Sequence, residues 1–233
     1  MRPASWLVLA LGAQSSRFAD ALGECVLRAR GRAESAPFEA SGLEAFWSSR
    51  ARVADALFST AARHRELADG RFACEVAPSR FPGLAITTTN VLRLEQRGSR
   101  ADDGGGAPRE TAAAALAPWV AELCESSHAA RGLARGVRQF DLIKDGIRAE
   151  ASTEVTARAR DGGARARVEA TSEVVVRIAT PDWVPASVSR GVSRQGSWVL
   201  DAMIARDLRK LVATLAARAA ESRVLSADAA ARA

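Results

Sequence analysis

Residues able to do chemistry are sparse in this chain and stand far apart. Its two histidines, His64 in AARHREL and His128 in SSHAARG, have no second ligand at the short spacing a zinc site on one helix needs. Cys25, Cys74 and Cys124 form an odd set without a CxxC pair, which fits buried thiols better than a disulfide framework or a metal site. No serine, histidine and aspartate fall into triad spacing, and no paired carboxylates share an apolar face. The nearest candidates for acid–base work are Asp141, Lys144 and Asp145 in FDLIKDG, which also read as a charged turn closed by Gly146. Gly104 to Gly106 lack the following Lys-Ser/Thr of a phosphate loop. No catalytic residue, metal ligand or cofactor is therefore assigned.

What the sequence does specify is a sheet and a helix to lie across it. From Ile178 the chain ends a strand, passes Pro181 and Pro185, and enters its longest helical pattern. Leu200, Ile204, Leu208, Leu211 and Leu215 form one apolar stripe, while Asp201, Arg206, Arg209, Lys210 and Arg218 lie off it. Both prolines fit before or within the first turn, where Asp182 or Ser187 can cap the free amides. At the other end of the chain, Glu24 to Glu34 alternates as a half-buried strand, with Cys25, Leu27, Ala29 and Gly31 on one side. Two short helical patterns follow Pro37, carrying Leu43, Phe46 and Trp47, then Val53, Leu57 and Phe58; they are expected at the rim of the sheet, and Ser41 with Glu44 three residues on supplies the cap.

RFACEVAP and LAITTTNVLRLEQR are strands on either side of Pro82-Gly83. In the second, Thr88 and Asn90 share a parity with Leu84, Ile86, Leu92 and Leu94. Such a strand either bulges and exposes both polar residues, or faces a wet interior. Residues 98–118 read as a loop or insertion; alanine favours helix up to Pro118, and WVAEL and VRQFDLI then read as strands. The firmest β signal is IRAEASTEVTARARDGGARARVEATSEVVVRIA. A two-residue Gly162-Gly163 loop sets its register, pairing Val155 with Ala170, Ala157 with Val168, and Thr153 with Ser172. Apolar then meets apolar throughout, and the two hydroxyls fall opposite each other on the apolar face.

A length of 233 residues with 48% hydrophobic composition suits one domain with a real core. The net charge is +6, yet Lys144 and Lys210 are the only lysines, and the arginines alternate with acids and alanines rather than clustering. That pattern is a solvated face, so nucleic acid is not an expected partner. The first nineteen residues hold no acid, and the apolar run from Trp6 to Ala13 is too short to span a membrane. Residues 1–19 are read as a targeting segment, to a plastid or other organelle, with the frayed start of a cytoplasmic chain as the alternative. The domain is placed at 20–222 and a disordered tail at 223–233.

This order of strand, short helices, antiparallel strands and long C-terminal helix resembles the helix-grip fold of the START-like and polyketide-cyclase-like (SRPBCC) superfamily. FEASGLEAFWSSRARVADALF, LADGRFACEVAPSRFPGLAITTTNVLRL and VVVRIATPDWVPASVSRGVSRQGSWVLDAMIARDLRKLVATLAA look more narrowly like a cyanobacterial and plastid family of unknown function within it. The resemblance implies an α+β fold, a curved antiparallel sheet wrapped around the C-terminal helix, with a cavity between them. Its expected partner is a hydrophobic small molecule such as a lipid, isoprenoid or pigment, with peripheral membrane contact a second expectation. The residues assigned to that site are Thr88, Asn90, Thr153, Val155, Ala157, Val168, Ala170, Ser172, Leu200, Ile204 and Leu208. A non-catalytic binding or carrier protein is the first functional reading. A cyclase- or dehydratase-type enzyme and an assembly factor with a filled interior are the alternatives, since members of the superfamily do all three.

Overall fold

The computed structural model describes residues 23–81, 83–98, 116–160, 163–180 and 185–231. The expected targeting segment, nearly all of the 98–118 loop, and Pro181 and Asp182 lie outside the described residues. The chain is α+β. Strands β1 (Gly23–Glu34) and β2 (Phe38–Glu39) are followed by helices α1 (Leu43–Trp47) and α2 (Arg50–Leu57). Strands β3 (Arg63–Glu66), β4 (Phe72–Phe81), β5 (Leu84–Gln96) and β6 (Trp119–Gly132) lead to helix α3 (Ala134–Ile143). Strands β7 (Ile147–Arg160) and β8 (Arg165–Thr180) then precede the C-terminal helix α4 (Ala186–Ala231).

All strands join one antiparallel sheet in the order β1-β8-β7-β6-β5-β4-β3, with β2 added beside β8; the sheet does not close. This arrangement is compatible with a helix-grip fold. The β7–β8 hairpin has the register that its glycine turn dictates: Val155 faces Ala170, Ala157 faces Val168 and Thr153 faces Ser172. Gly163 takes a φ of 94°, which an L side chain resists. The alternation predicted for β1 also holds, with Cys25, Leu27 and Ala29 buried.

Several expectations are corrected. VRQFDLI is helix rather than strand, within α3. Gly132 ends β6 at a φ of 143°, and its backbone passes so close to Gly83 that a Cβ would meet the Gly83 carbonyl oxygen at 2.2 Å, so only glycine fits where the strand ends. WVAEL in turn is only the start of a strand of 14 residues that includes SSHAARG. Ser41 does not cap α1, because it lies inside a 3₁₀ turn at Ala40–Gly42; Ser49 instead accepts from the Arg52 amide at the start of α2. Ser187 is within α4 rather than before it, and the first amides of that helix return to the Pro185 carbonyl. The tail expected from 223 on is helical to Ala231. Helices α1 and α2 are not rim decoration, since Phe46, Trp47, Val53 and Leu57 sit in the main core.

Two Trp indoles tie these helices to the sheet. Trp47 Nε1 donates to the Ala117 carbonyl at 2.8 Å, and Trp119 Nε1 donates to the Trp47 carbonyl at 2.9 Å. Buried aromatics of this kind keep a polar handle satisfied while filling a large volume. Arg50 stacks over the Phe72 ring, 4.9 Å from its centroid, and binds Glu66 and the Gly70 carbonyl, pinning α2 to the β3–β4 turn.

Helix α4 does two different jobs along its 46 residues. Its middle packs Leu208, Leu211, Val212 and Leu215 onto the core, as the leucine stripe predicts. Its first turns lie along β1, the outer strand of the sheet. There Arg28 N donates to Ser197 Oγ at 2.9 Å and Arg30 N donates to Asp201 Oδ1 at 3.0 Å. Cys25 Sγ meets Ser193 Oγ at 3.3 Å, and Ser189 Oγ donates to the Glu24 carbonyl at 3.5 Å. The spacing explains the match: four helical residues rise about 6 Å, and two strand residues advance about 6.6 Å. A polar side chain every fourth helix position therefore meets successive groups of the strand edge, which would otherwise invite pairing with another chain. Close approach needs glycine on both partners: a Cβ at Gly31 would lie 2.6 Å from Ile204 Cγ2, and one at Gly196 would lie 2.6 Å from Leu27 Cδ2.

Candidate functional site: where the sheet divides

Strands β6 and β7 pair over only four residues each, from Trp119 opposite Val155 to Glu122 opposite Ser152. Beyond that point β6 continues on β5 alone, and β7 on β8 alone, so the two halves of the sheet part. Helix α3 bridges the strands in sequence at the far end. The inner face changes character where the ladder stops. On the sealed side, Val155, Ala157 and Val168 are 0% exposed and Ala170 is 1% exposed, in the same core as Leu208 and Leu215. On the open side, inward residues become half-buried: Ile86, Thr88, Asn90, Ser126 and His128 on one half, Ala149, Ala151, Val174 and Val176 on the other.

Cross-strand partners share a face, so register places the polar groups. In β5 and β6, Asn90 faces Ser126 and Thr88 faces His128, with Cys74 of β4 beside Asn90 and His64 of β3 beside Cys74. Ser126 Oγ donates to Asn90 Oδ1 at 2.9 Å, and Thr88 Oγ1 lies 3.1 Å from His128 Nδ1. The β5 strand itself does not bulge. The irregularities are in its neighbours, at Cys124 in β6 and between Val76 and Ser79 in β4, so Thr88 and Asn90 keep their inward aim. Of the two readings that the sequence allowed for these residues, the inward-facing polar interior is the one found.

His128 is the residue that sequence reasoning missed. Its Nε2 is buried with no hydrogen-bonding partner among the described residues, and the Phe140 ring of α3 stands edge-on to it at 6.4 Å. Burial pushes the imidazole pKa below its usual value. The signal was present, since Ser126, His128 and Ala130 alternate, but a polar SSHAARG reads as loop until β5 provides the pairing. Burial also pushes the Cys74 thiol up to about 11, which keeps it protonated and inert.

The eleven residues assigned from sequence are divided by the structure. Thr88 and Asn90 are half-buried on β5, opposite His128 and Ser126 of β6. Thr153 and Ser172 are hydrogen-bonded to each other at 2.9 Å, near the end of the β6–β7 ladder. Ser172 is paired with Gly31, on which Ile204 rests. Leu200 packs with Cys25, Leu27 and Ile178 in a second small core, and Ile204 is half-buried. Val155, Ala157, Val168, Ala170 and Leu208 belong to the sealed core. The proton-transfer candidates are far from this arrangement in character: Lys144 Nζ pairs with Asp141 at 2.9 Å on a surface turn, and Asp145 is exposed.

On the other face, arginines pair with acids across strands, as in Arg30–Glu173 at 2.7 Å and Arg97–Glu122 at 2.7 Å. Among the described residues no group of three His, Cys, Asp or Glu could hold a metal ion, and no helix is long and apolar enough to cross a membrane.

No family model matches this chain, and no curated protein matches it. Among solved structures, a conserved protein from Geobacillus kaustophilus is similar over 84% of this chain and 97% of that one, at 8% identity and a TM-score of 0.38. The Mll3558 protein from Rhizobium loti is similar over 76% of this chain and 97% of that one, at 10% identity and a TM-score of 0.27. Likeness at these scores identifies neither family nor ligand.

Proposed function

We propose that this chain is a START-like, helix-grip binding or carrier protein for a hydrophobic small molecule, held in a cleft between the halves of the sheet and helix α4. The observation that carries this reading is the change along the inner face from a sealed core to half-buried residues, apolar on β7 and β8 and polar on β5 and β6. Ligand sites combine these elements: mostly apolar walls and a few convergent polar groups that set orientation. Organic extraction of the purified protein followed by mass spectrometry tests it, together with a thermal-shift screen of lipids, isoprenoid alcohols and pigments. The expected result is a co-purifying apolar molecule or a concentration-dependent rise in Tm. Protein that is empty from every preparation and unmoved by every compound overturns the reading.

A second reading, an enzyme of the cyclase or dehydratase kind, gains support from one feature. His128 faces inward with its Nε2 buried and its pKa lowered, the state in which an imidazole can take a proton near neutral pH. Turnover of an extracted ligand that His128→Gln abolishes while binding persists would favour this reading over the first.

A further inference from the structure

The two sides of helix α4 differ in what they meet. Ser193, Ser197, Leu200, Ile204 and Leu208 turn towards the sheet, and the opposite side of the same turns carries Trp198, Val199, Ala202 and Met203. These four are contiguous, because residues three and four apart on a helix are neighbours. Trp198 is 72% exposed and Met203 46% exposed, with Ala202 exposed and Val199 half-buried beside them. The face is open for a further two turns towards the start of the helix, where a Cβ at Gly191 would meet nothing within 4 Å. Trp47 and Trp119 each give their indole N–H to a backbone carbonyl, whereas Trp198 Nε1 has no acceptor among the described residues.

Cations bound this apolar patch at both ends. Arg194 lies one turn before Trp198, Arg206 lies one turn after Ala202, and Arg209 and Lys210 follow Arg206; all are exposed. The only acids between 186 and 210 are Asp201 and Asp207. Asp201 accepts from the Arg30 amide at the strand edge, and Asp207 pairs with Arg206, so the outer face keeps a positive charge around an apolar centre. That charge selects the occupant. A second copy of the chain would set cations against cations. An anionic lipid surface suits both parts of the face: arginine and lysine reach phosphate, the indole sits at head-group level with its N–H on a lipid oxygen, and Val199 and Met203 enter the acyl boundary. No helix among the described residues is long and apolar enough to cross a membrane, so contact of this kind is along the surface.

We propose that the outer face of α4, from Arg194 to Lys210, docks reversibly on anionic membrane surfaces. This is independent of whether the chain carries a ligand. The test sediments the full chain with vesicles of phosphatidylcholine alone, or with about 30 mol% phosphatidylglycerol added, in about 0.1 M salt. Binding at least about tenfold tighter to the anionic vesicles is expected, and about 0.5 M salt should weaken it severalfold. Trp198→Ala should weaken it roughly tenfold and Arg194→Ala roughly fivefold; Arg148→Ala, which removes the same charge from the outer face of β7, should change it by less than about twofold. All three side chains are exposed, so the fold is kept. With vesicles in excess, brominated acyl chains should quench the tryptophan fluorescence of the wild type more than that of Trp198→Phe, which reports contact rather than affinity. Equal binding to both vesicles, or an equal loss in Arg148→Ala, overturns the docking face. So does binding that survives Trp198→Ala, as attachment through the acid-free first nineteen residues would. Binding to neither vesicle, the result expected of a face that meets an acidic protein instead, overturns it as well, and each of these outcomes leaves the carrier reading standing.

Discussion

Gly31 is where the fit of helix α4 on the sheet can be measured. It lies in β1 with ordinary extended backbone, in a setting where glycine normally weakens a strand, and replacing it with alanine would by itself add about 0.4–1 kcal/mol by restricting the unfolded chain. Here the added methyl has no room: it would lie 2.6 Å from Ile204 Cγ2 and 2.9 Å from Leu208 Cδ1. Leu208 Cδ1 is the far end of a flexible side chain, but Ile204 Cγ2 is attached at a branched Cβ whose torsion is stiff in a helix, so the helix itself must move. Overpacking of this kind costs about 1–3 kcal/mol, which outweighs the backbone gain and leaves Gly31→Ala destabilising by about 1–2 kcal/mol. In a chain of this size that lowers Tm by about 2–8 °C. Ile204→Ala should cost about 1–2 kcal/mol, less than at a fully buried site, because Ile204 is only half-buried. The double variant is the decisive comparison: with the branched methyl gone, the alanine at 31 fits, and the two changes together should cost at least about 1 kcal/mol less than their sum. Urea unfolding followed by fluorescence suits this, since Trp47 and Trp119 are buried in the core. A neutral or stabilising Gly31→Ala, or a strictly additive double variant, would refute the close approach of α4 to β1.

The phase of α4 makes a simpler prediction: Leu208→Ala and Leu211→Ala should each cost about 2–5 kcal/mol, whereas Arg206→Ala, whose side chain is exposed and pairs with its neighbour Asp207, should stay within about 0.5 kcal/mol by the same assay. Asp201→Ala removes the acceptor for the Arg30 amide on the outer edge of β1; about 0.5–1.5 kcal/mol should be lost, and hydrogen exchange at Arg30 should quicken while the β7–β8 amides keep their protection. Of the three thiols only Cys124 is exposed, so one equivalent of a thiol reagent should react with folded protein and two more only on unfolding; rapid labelling of Cys25 or Cys74 would contradict their burial. The lowered His128 pKa gives a pH dependence: the unfolded chain takes up the proton first, so stability contributed by the neutral ring is full above about pH 6.5 and falls as pH drops towards the folded pKa. Urea midpoints from pH 8 to 5 should fall less in His128→Gln than in the wild type, and parallel profiles would show that the ring is not buried.

Much of the architecture was carried by local pattern. The β7–β8 register followed from two glycines and a period of two, down to the Thr153–Ser172 pair, and the core stripe of α4 followed from leucines at steps of four and three. These are short-range constraints, in which a turn type or a helical period fixes which side chains share a face. What lay beyond them depended on partners distant in sequence. The repeat Ser189, Ser193, Ser197, Asp201 is plain in the chain, yet it has a meaning only once β1 is the outer strand, because only an outer strand has amides for those side chains to accept from. His128 is one polar residue in a polar stretch until the β5–β6 register, shifted by the extra residue at Cys124, sets it opposite Thr88. The alanines and valines assigned to a binding site lie in the main core together with side chains of α1, α2 and α4, partners that the pattern of a single strand does not reveal. The sheet divides at the end of the β6–β7 ladder, an event that no single strand's pattern records, since it is the packing of the whole sheet against its helices that decides where two strands part.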